Sequence, residues 1–205
     1  MATLYPYNTN WMAGQRKAQS DAPGVLTTLG AGVMYSPGSP VVGDVDWFVA
    51  SANMKVGAYV LAHTAPDCGA RNVTVTQTIT NATEDTNGTI VVVGTDLAGN
   101  TITETLTPNG GATVAGAKAF ATITSITGVA WVKGGADPDT VTLGFGAILG
   151  LPDKLTDTAQ VLAASLNNAS EALAGKTVSA TALESNTFTM TSALNGSPVK
   201  VYYWL

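Results

Sequence analysis

Residues 73–80 read VTVTQTIT, and this alternation of β-branched and polar residues returns in five further runs before residue 147. The runs are GTIVVVGT (88–95), NTITETLT (100–107), FATITSIT (120–127), GVAWVKG (128–134) and DTVTLGFG (139–146). Threonine and valine fit a pleated surface, and a period of two puts one face on a core and the other in water. The block from Asn72 to Gly146 therefore predicts β-strands that present a threonine-rich surface.

Turn residues separate these runs at the spacing of a β-sandwich. Asn87-Gly88 is a strong hairpin signal, and the turn from Asp96 to Asn100 closes the next hairpin with Gly99 at positive φ. Ahead of the block, GDVDWFVA (43–50) and KVGAYVLA (55–62) read as two more strands. About eight short strands predict an all-β chain, an antiparallel β-sandwich of immunoglobulin-like or jelly-roll-like plan, with a barrel as the competing architecture.

Three zones are expected along the chain. Residues 1–42 combine many prolines with aromatic residues, which predicts an extended N-terminal arm that lies on its own domain or on a neighbouring subunit. Residues 43–150 form the β-sandwich domain. Residues 151–205 form a C-terminal β-rich extension or subdomain, in which DTAQVLAASLNNASEALAG (157–175) reads either as a short helix or as irregular strands.

The charge composition narrows the function. Only 11% of the residues are charged, against about 25% in an average soluble domain. A surface with so few charges suits a subunit of an assembly, although a hydroxyl-coated surface without any assembly is the alternative. The net charge is −5 and no basic run occurs, so nucleic acid is not an expected partner.

The sequence pattern also indicates where the chain is made. The first residues have no signal-peptide pattern, and no apolar run approaches the length of a membrane span. The single cysteine forms no internal disulfide and fits a reducing cytoplasm. We expect no contact with a membrane.

Residues that could carry catalysis are few. His63 and Cys68 are the only candidates for a Cys–His dyad, and isolated histidines and buried thiols are much commoner than such dyads. Structural zinc needs four ligands of this kind, and no calcium-loop pattern surrounds the aspartates. We therefore expect no enzyme activity, no metal and no cofactor.

Glu104 is the one acidic residue within an alternating strand that falls on the apolar side. It shares its face with Ile102 and Leu106, so its carboxylate is expected to point inward. The prediction is that it pairs with Lys118 or Lys133, or lies at a sheet edge, where an inward charge blocks aggregation. This role is favoured over that of a general acid.

One part of the chain resembles a known group of proteins. The stretch from GTDLAGN (94–100) to TSITG (124–128), followed by DTVTLGFGAILGLPDKL (139–155), is similar to a recurrent module of small virion proteins of tailed bacteriophages. These proteins decorate or cement the phage head, or are minor structural proteins. The resemblance covers roughly residues 70 to 155 and rests on strand and turn motifs, not on active-site motifs.

The resemblance implies a non-enzymatic structural protein that binds the capsid surface and stabilises or decorates the head. Its partners would be the major capsid protein and copies of itself, as a homo-oligomer for which a trimer is one arrangement. It would be made in the cytoplasm of the host bacterium and end on the capsid surface of the virion. The alternatives are a neck, tail or baseplate component, or a glycan-binding adhesive module with Trp47 or Trp131 in contact with sugar.

Partner contacts are expected at large apolar residues near the two ends of the chain. The predicted contact residues are Tyr5, Tyr7, Trp11 and Met12 in the arm, and Tyr202, Tyr203 and Trp204 in the terminal strand. The terminal strand is expected to be paired and buried. Its neighbour would be either the chain's own sheet or the edge of a neighbouring subunit.

Overall fold

The computed structural model describes residues 32–81, 83–86 and 88–205, which are almost entirely β-structure. Strand accounts for 55% of the chain and helix for 3%, and the antiparallel sheets curl into a half-barrel, so the predicted all-β sandwich class is confirmed. The helices described are single 3₁₀ turns, Thr158–Gln160 and Leu183–Ser185. None of the helices in the described part of the chain has the length and hydropathy needed to cross a membrane.

The strands follow one another with short connections. They are β1 Gly32–Gly38, β2 Asp44–Asn53, β3 Gly57–Ala58, β4 Arg71–Thr78, β5 Thr89–Thr95, β6 Thr101–Leu106, β7 Thr113–Phe120, β8 Thr122–Val129, β9 Thr140–Gly150, β10 Val161–Leu166, β11 Ala169–Glu171, β12 Leu173–Thr177, β13 Thr187–Met190 and β14 Val199–Trp204. The hairpin between β5 and β6 closes as predicted, with Gly99 at a φ of 83°.

The strands form three sheets, which we name A, B and C. Sheet A has the order β1-β14-β10-β11, and sheet C has the order β3-β8-β5-β6. Sheet B has the order β12-β13-β9-β4-β7, and β2 pairs with β9 as well. Every one of these pairings is antiparallel.

Sheets B and C pack against each other around a first hydrophobic cluster. Val73 and Val75 of β4 face Ile90 and Val92 of β5 in its interior, where each is fully buried. These four residues come from the alternating runs of the sequence. The period of two in the threonine-rich block thus builds the sandwich.

A second hydrophobic cluster lies between sheet A and the far end of sheet B. Leu149 of β9 and Phe188 of β13 contribute from sheet B, and Val201 and Tyr203 of β14 contribute from sheet A. Residues 32–38, at the end of the predicted arm, form β1 and pair with β14. This part of the arm therefore lies on the chain's own sheet.

The close approach of β2 to β9 depends on a glycine. A Cβ atom added to Gly144 would lie 1.7 Å from the backbone oxygen of Asp44, a distance that no side chain can adopt. The glycine allows β2 to pair with β9 despite two irregularities of register.

Arg71, the first residue of β4, is a buried charge that joins three segments. Its guanidinium donates hydrogen bonds to the carbonyl oxygen of Gly146, at 2.9 Å from Nε, and to that of Val41, at 3.0 Å from Nη1. Nη1 also lies 2.7 Å from the carboxylate of Asp67. The guanidinium carbon is 4.1 Å from the centre of the Phe145 ring. The buried charge is thus both paired and hydrogen-bonded.

Two predicted strands are absent or short. In 55–62 only Gly57–Ala58 is strand; after it the Tyr59 amide bonds to the Ile126 carbonyl of β8, and the Ala62 amide bonds to the Phe48 carbonyl of β2. In 128–134 the strand ends at Val129, since Ala130 has a φ of 56° and leaves the extended region. Beyond it, Val132 forms only an isolated bridge with Thr86.

The predicted hairpin at Asn87-Gly88 is wrong. β4 belongs to sheet B and β5 to sheet C, so the chain crosses between the sheets here. Asn87 itself lies outside the described residues. Gly88 has a different role, because a Cβ atom there would lie 2.0 Å from the ring of Trp131. The glycine serves a close approach to an aromatic ring.

The segment 157–175, read either as a helix or as strands, is one 3₁₀ turn followed by strands. Asp157 caps the turn through a hydrogen bond from the amide of Ala159, and Gln160 completes a capping box. Asn167 and Asn168 then adopt positive φ values of 52° and 64° and close the hairpin of β10 and β11. Two asparagines at positive φ are typical of such tight turns.

The Arg71 contacts predict a large effect on stability. Replacing Arg71 by Ala should lower the free energy of unfolding by about 3–5 kcal/mol, because Asp67 and two carbonyl groups lose the buried cation that they contact. Urea denaturation measures the loss. The matched control is Lys133→Ala, since Lys133 is exposed and its loss should cost less than about 0.5 kcal/mol. Equal stability of the two variants would contradict this account of Arg71.

Candidate partner interface

The outer face of sheet A carries exposed apolar side chains, and we name it the sheet A outer face. It is defined by Met34, Leu162, Tyr202 and Trp204. Met34 is 56% exposed, Leu162 49% and Tyr202 39%, while Trp204 is half-buried. The alternation along β14 turns Val201 inward and Tyr202 outward. Exposed apolar side chains that lie together are typical of interaction sites.

Strand register brings these side chains together. Tyr202 lies directly opposite Met34 of β1 on one side and Ala163 of β10 on the other. Leu162 sits at the irregularity of register between Val161 and Ala163 and is thereby exposed. The face therefore extends across the three strands β1, β14 and β10.

Trp204 and Gly32 form the end of this face. They are register partners, and a Cβ atom on Gly32 would lie 3.0 Å from the Trp204 ring. The indole therefore lies over the backbone of β1, and the glycine leaves room for it. The ring is held in place and remains partly accessible.

Tyr203 does not belong to this surface, which corrects the predicted set of contact residues. Its side chain is fully buried in the second cluster. Its hydroxyl donates a hydrogen bond of 2.5 Å to the carboxylate of Asp153. Burial and this carboxylate raise the pKa of Tyr203 above its usual range, so the hydroxyl stays protonated. In this structure Tyr203 stabilises the chain itself.

The other predicted contacts, Tyr5, Tyr7, Trp11 and Met12, lie outside the described residues. Their part in partner binding stays a prediction.

The edge strand β1 presents backbone groups beside the sheet A outer face. Its sequence GVMYSPG carries no charge, and among the described strands only β14 pairs with it. The opposite edge of sheet A, β11, is three residues long and contains Glu171. Short or charged edges resist strand pairing, whereas an uncharged longer edge permits it.

Glu104 lies on β6, the edge strand of sheet C, as one of the two predictions for it stated. Its carboxylate bonds to β7, the edge strand of sheet B. Glu104 belongs to β6, and one oxygen of its carboxylate accepts hydrogen bonds from the amides of Ala117, at 2.7 Å, and Lys118, at 3.3 Å, in β7. Its other oxygen, Oε2, is buried without a hydrogen-bond partner. Burial raises the pKa of Glu104, and the two amides and the Lys118 charge oppose that shift. Glu104 thus connects two edges.

His63 and Cys68 do not form a nucleophilic pair in the structure. His63 stacks on Trp47 with 4.0 Å between ring centres, and its Nδ1 lies 2.8 Å from the Trp47 carbonyl oxygen. Burial, followed by the charge of Asp67, raises the pKa of Cys68 to about 11. A thiol with a raised pKa is a poor nucleophile at neutral pH.

Two buried carboxylates, those of Asp85 and Asp139, accept hydrogen bonds from loop residues. Asp85 accepts hydrogen bonds from the amides of Gly134 and Asp139, and Asp139 accepts them from the amides of Asp85 and Thr80 and from the side chain of Gln77. Burial would raise the pKa of Asp139, but these donors outweigh it and lower the pKa. In the described part of the chain, no group of three or more His, Cys, Asp or Glu residues is placed to hold a metal ion.

The tryptophans expected in a glycan site are partly covered. One face of Trp47 is occupied by His63, and its Nε1 donates a hydrogen bond to the Ala65 carbonyl oxygen at 2.8 Å. The Nε1 atom of Trp131 is buried, and its ring lies close to Gly88. A sugar could therefore not stack on the Trp47 face that His63 covers.

Comparison of the chain with models of protein families, with curated proteins and with solved structures gave no match.

Substitution by phenylalanine should have different effects on stability at the neighbouring residues Tyr202 and Tyr203. Tyr203→Phe removes the hydrogen bond to the Asp153 carboxylate and should lower the free energy of unfolding by about 1.5–3 kcal/mol. Tyr202→Phe, on the outer face, should change it by less than about 0.5 kcal/mol. Chemical denaturation of both variants checks this. An equal loss in the two would contradict the interior role of Tyr203.

The raised pKa of Glu104 predicts a pH dependence of stability. Ionised Glu104 is less favourable in the folded chain than in the unfolded one, so protonation relieves a cost of folding. The free energy of unfolding of the wild type, minus that of Glu104→Gln, should therefore rise as the pH falls from neutral to about 4.5, the ordinary pKa of glutamate. Denaturation curves across this range measure it, and a difference that falls with acidification would disprove the assignment.

Proposed function

We propose that this chain is a non-enzymatic structural protein of a bacteriophage virion, which binds the capsid surface and stabilises or decorates the head. Over roughly residues 70 to 155 its sequence resembles a module of small virion proteins of tailed bacteriophages, which decorate or cement the head or are minor structural proteins. Its charge content of 11% suits a subunit that is surrounded by others. No described group of side chains combines a nucleophile, a base and an orienting residue in one place.

The observation that carries the proposal is the sheet A outer face. Met34, Leu162 and Tyr202 expose apolar surface together, at the uncharged edge strand β1. These side chains are already about half covered, so full burial by a partner would contribute about half of the ~1.5–3 kcal/mol expected for a fully exposed side chain. Pairing of a capsid segment with the β1 edge would add backbone hydrogen bonds. A surface of this kind suits adhesion.

Repetition on the capsid would multiply a modest affinity. A subunit that contacts both the major capsid protein and copies of itself gains from each neighbour that is already bound. A homo-oligomer, such as a trimer on a symmetry axis, would present several copies of the sheet A outer face at once. The arm residues Tyr5, Tyr7, Trp11 and Met12 stay predicted contacts in this scheme.

The first test locates the protein in particles of the phage that encodes it. Heads and tails are separated, and the chain is quantified in each by mass spectrometry. Decoration predicts copies on the order of hundreds on the head, as lattice symmetry requires. Copies in the tens on tails would instead assign it to the neck, tail or baseplate, and its absence from both would overturn a virion role.

The second test addresses the sheet A outer face. Tyr202→Lys together with Met34→Lys should lower occupancy on heads at least about tenfold, because two apolar contacts are replaced by hydrated charges. The matched control is Val42→Lys, since Val42 is 63% exposed but lies outside sheet A. Unchanged occupancy of the double variant would remove sheet A from the interface and leave the location of the protein to the first test.

A further inference from the structure

The dipeptide Asn-Gly occurs at three places in the chain, 87–88, 109–110 and 195–196. Asparagine is a thermolabile residue. It is most reactive before glycine, because glycine has no side chain that would keep its backbone nitrogen away from the side-chain carbonyl carbon of the asparagine. Asn87 lies outside the described residues. The other two dipeptides lie in exposed turns, and the two turns hold the reacting groups differently.

The turn at Asn109 leaves both reacting groups free. The Ala112 amide donates a hydrogen bond of 2.8 Å to the Asn109 backbone carbonyl oxygen, and Gly110 and Gly111 have φ values of 38° and 89°. Positive φ at both central residues is typical of a type I′ turn. Within the described residues, neither the Gly110 amide nor the Asn109 side chain has a hydrogen-bond partner. The attacking nitrogen and the group that it attacks are both unrestrained.

The turn at Asn195 engages both groups. The Gly196 amide donates a hydrogen bond of 2.9 Å to the carbonyl oxygen of Pro40, which belongs to a distant segment of the chain. The side-chain oxygen of Asn195 accepts a hydrogen bond of 3.1 Å from the Ser197 amide. An attack by the Gly196 nitrogen on the Asn195 side chain therefore requires local opening of the turn.

We propose that Asn109 is a site of spontaneous deamidation in the folded chain, and that the same dipeptide at Asn195 is protected by its hydrogen bonds. At Asn109 the Gly110 nitrogen attacks Cγ and forms a succinimide ring. The N–Cγ bond forms and the Cγ–Nδ2 bond breaks, and Nδ2 leaves as ammonia with the proton that the Gly110 nitrogen has lost. Water then opens the ring at one of its two carbonyl carbons and gives aspartate or isoaspartate.

The product changes the charge of this turn. Deamidation replaces a neutral amide by a carboxylate in a chain whose net charge is already −5. The side chain of Glu84 lies beside the turn, since a Cβ atom on Gly110 would be 3.2 Å from each of its carboxylate oxygens. The new negative charge thus arises next to an existing one. The reaction follows from the turn alone and does not depend on the proposed virion role, so the two proposals fail separately.

Peptide mapping of the aged full chain tests the site. The folded protein is incubated at neutral pH and cleaved after glutamate, lysine and arginine. Residue 109 is the only asparagine of the resulting peptide 105–118, while the peptide 185–200 contains Asn186 and Asn195, which fragmentation distinguishes. Mass spectrometry should show that Asn109 deamidates at least about tenfold faster than Asn195, a factor that one or two hydrogen bonds supply.

The same chain in concentrated urea is the matched control. Because unfolding removes both turns, the two sites should then react at similar rates, since each asparagine precedes a glycine. Asn109→Gln should abolish the reaction in peptide 105–118, because a glutamine would have to form a larger ring, and should leave the rate at Asn195 unchanged. Equal rates at the two sites in the folded chain would overturn the proposal. A difference that persists in urea would also overturn it, because the local sequence and not the turn would then be the cause.

Discussion

The structure depends on the pairing of β9 with strands on both of its edges. β4 pairs with it along one edge, while β2 and β13 share the other edge in succession. Val141, Leu143 and Phe145 of β9 alternate into the first cluster, and Leu149, beyond an irregularity of register with β4, enters the second. One strand of 11 residues thus supplies both clusters with apolar side chains. Removing β9 would separate β2, β12 and β13 from β4 and β7.

Several of the few charged side chains are buried in the fold. Arg71, Asp85, Asp96 and Asp139 are all buried and hydrogen-bonded to backbone groups. They hold loops against the sheets at points where no side-chain packing would fix them. The surface is therefore poorer in charge than the composition indicates. A surface of this kind is consistent with the proposed life in an assembly.

The sequence predicted the β-class and most strands of the sandwich, because the alternation there is long and the burial one-sided. Gly99 and the turn around it were predicted for the same local reason, since positive φ and an aspartate cap are readable from neighbours. The hairpin predicted at Asn87-Gly88 was wrong, because the local sequence does not show whether the strands before and after a turn pair with each other or belong to different sheets. The pairing of β4 with β9 spans more than 60 residues and could not be read from either strand alone.

The interface was predicted in part for a similar reason. Alternation along β14 puts Tyr203 on the face of Val199 and Val201, and Tyr202 on the face of Lys200, so the sequence held a signal that Tyr203 faces inward. The hydrogen bond from the Tyr203 hydroxyl to Asp153, 50 residues away, could not be read from the sequence. Asn167-Asn168 was a signal that could have been used, since consecutive asparagines favour a tight turn over a helix.

The continuity of β9 has a mechanical consequence. Sheet A rests on one end of the strand and the sandwich on the other, with no linker between Phe145 and Leu149. A force applied to the sheet A outer face would reach the sandwich through the continuous backbone of β9, in which the side chains of Arg71 and Asn72 bond to Gly146 and Ile148. Strain in a surface to which the protein is attached would thus be resisted by the whole fold, and would not be absorbed at a hinge.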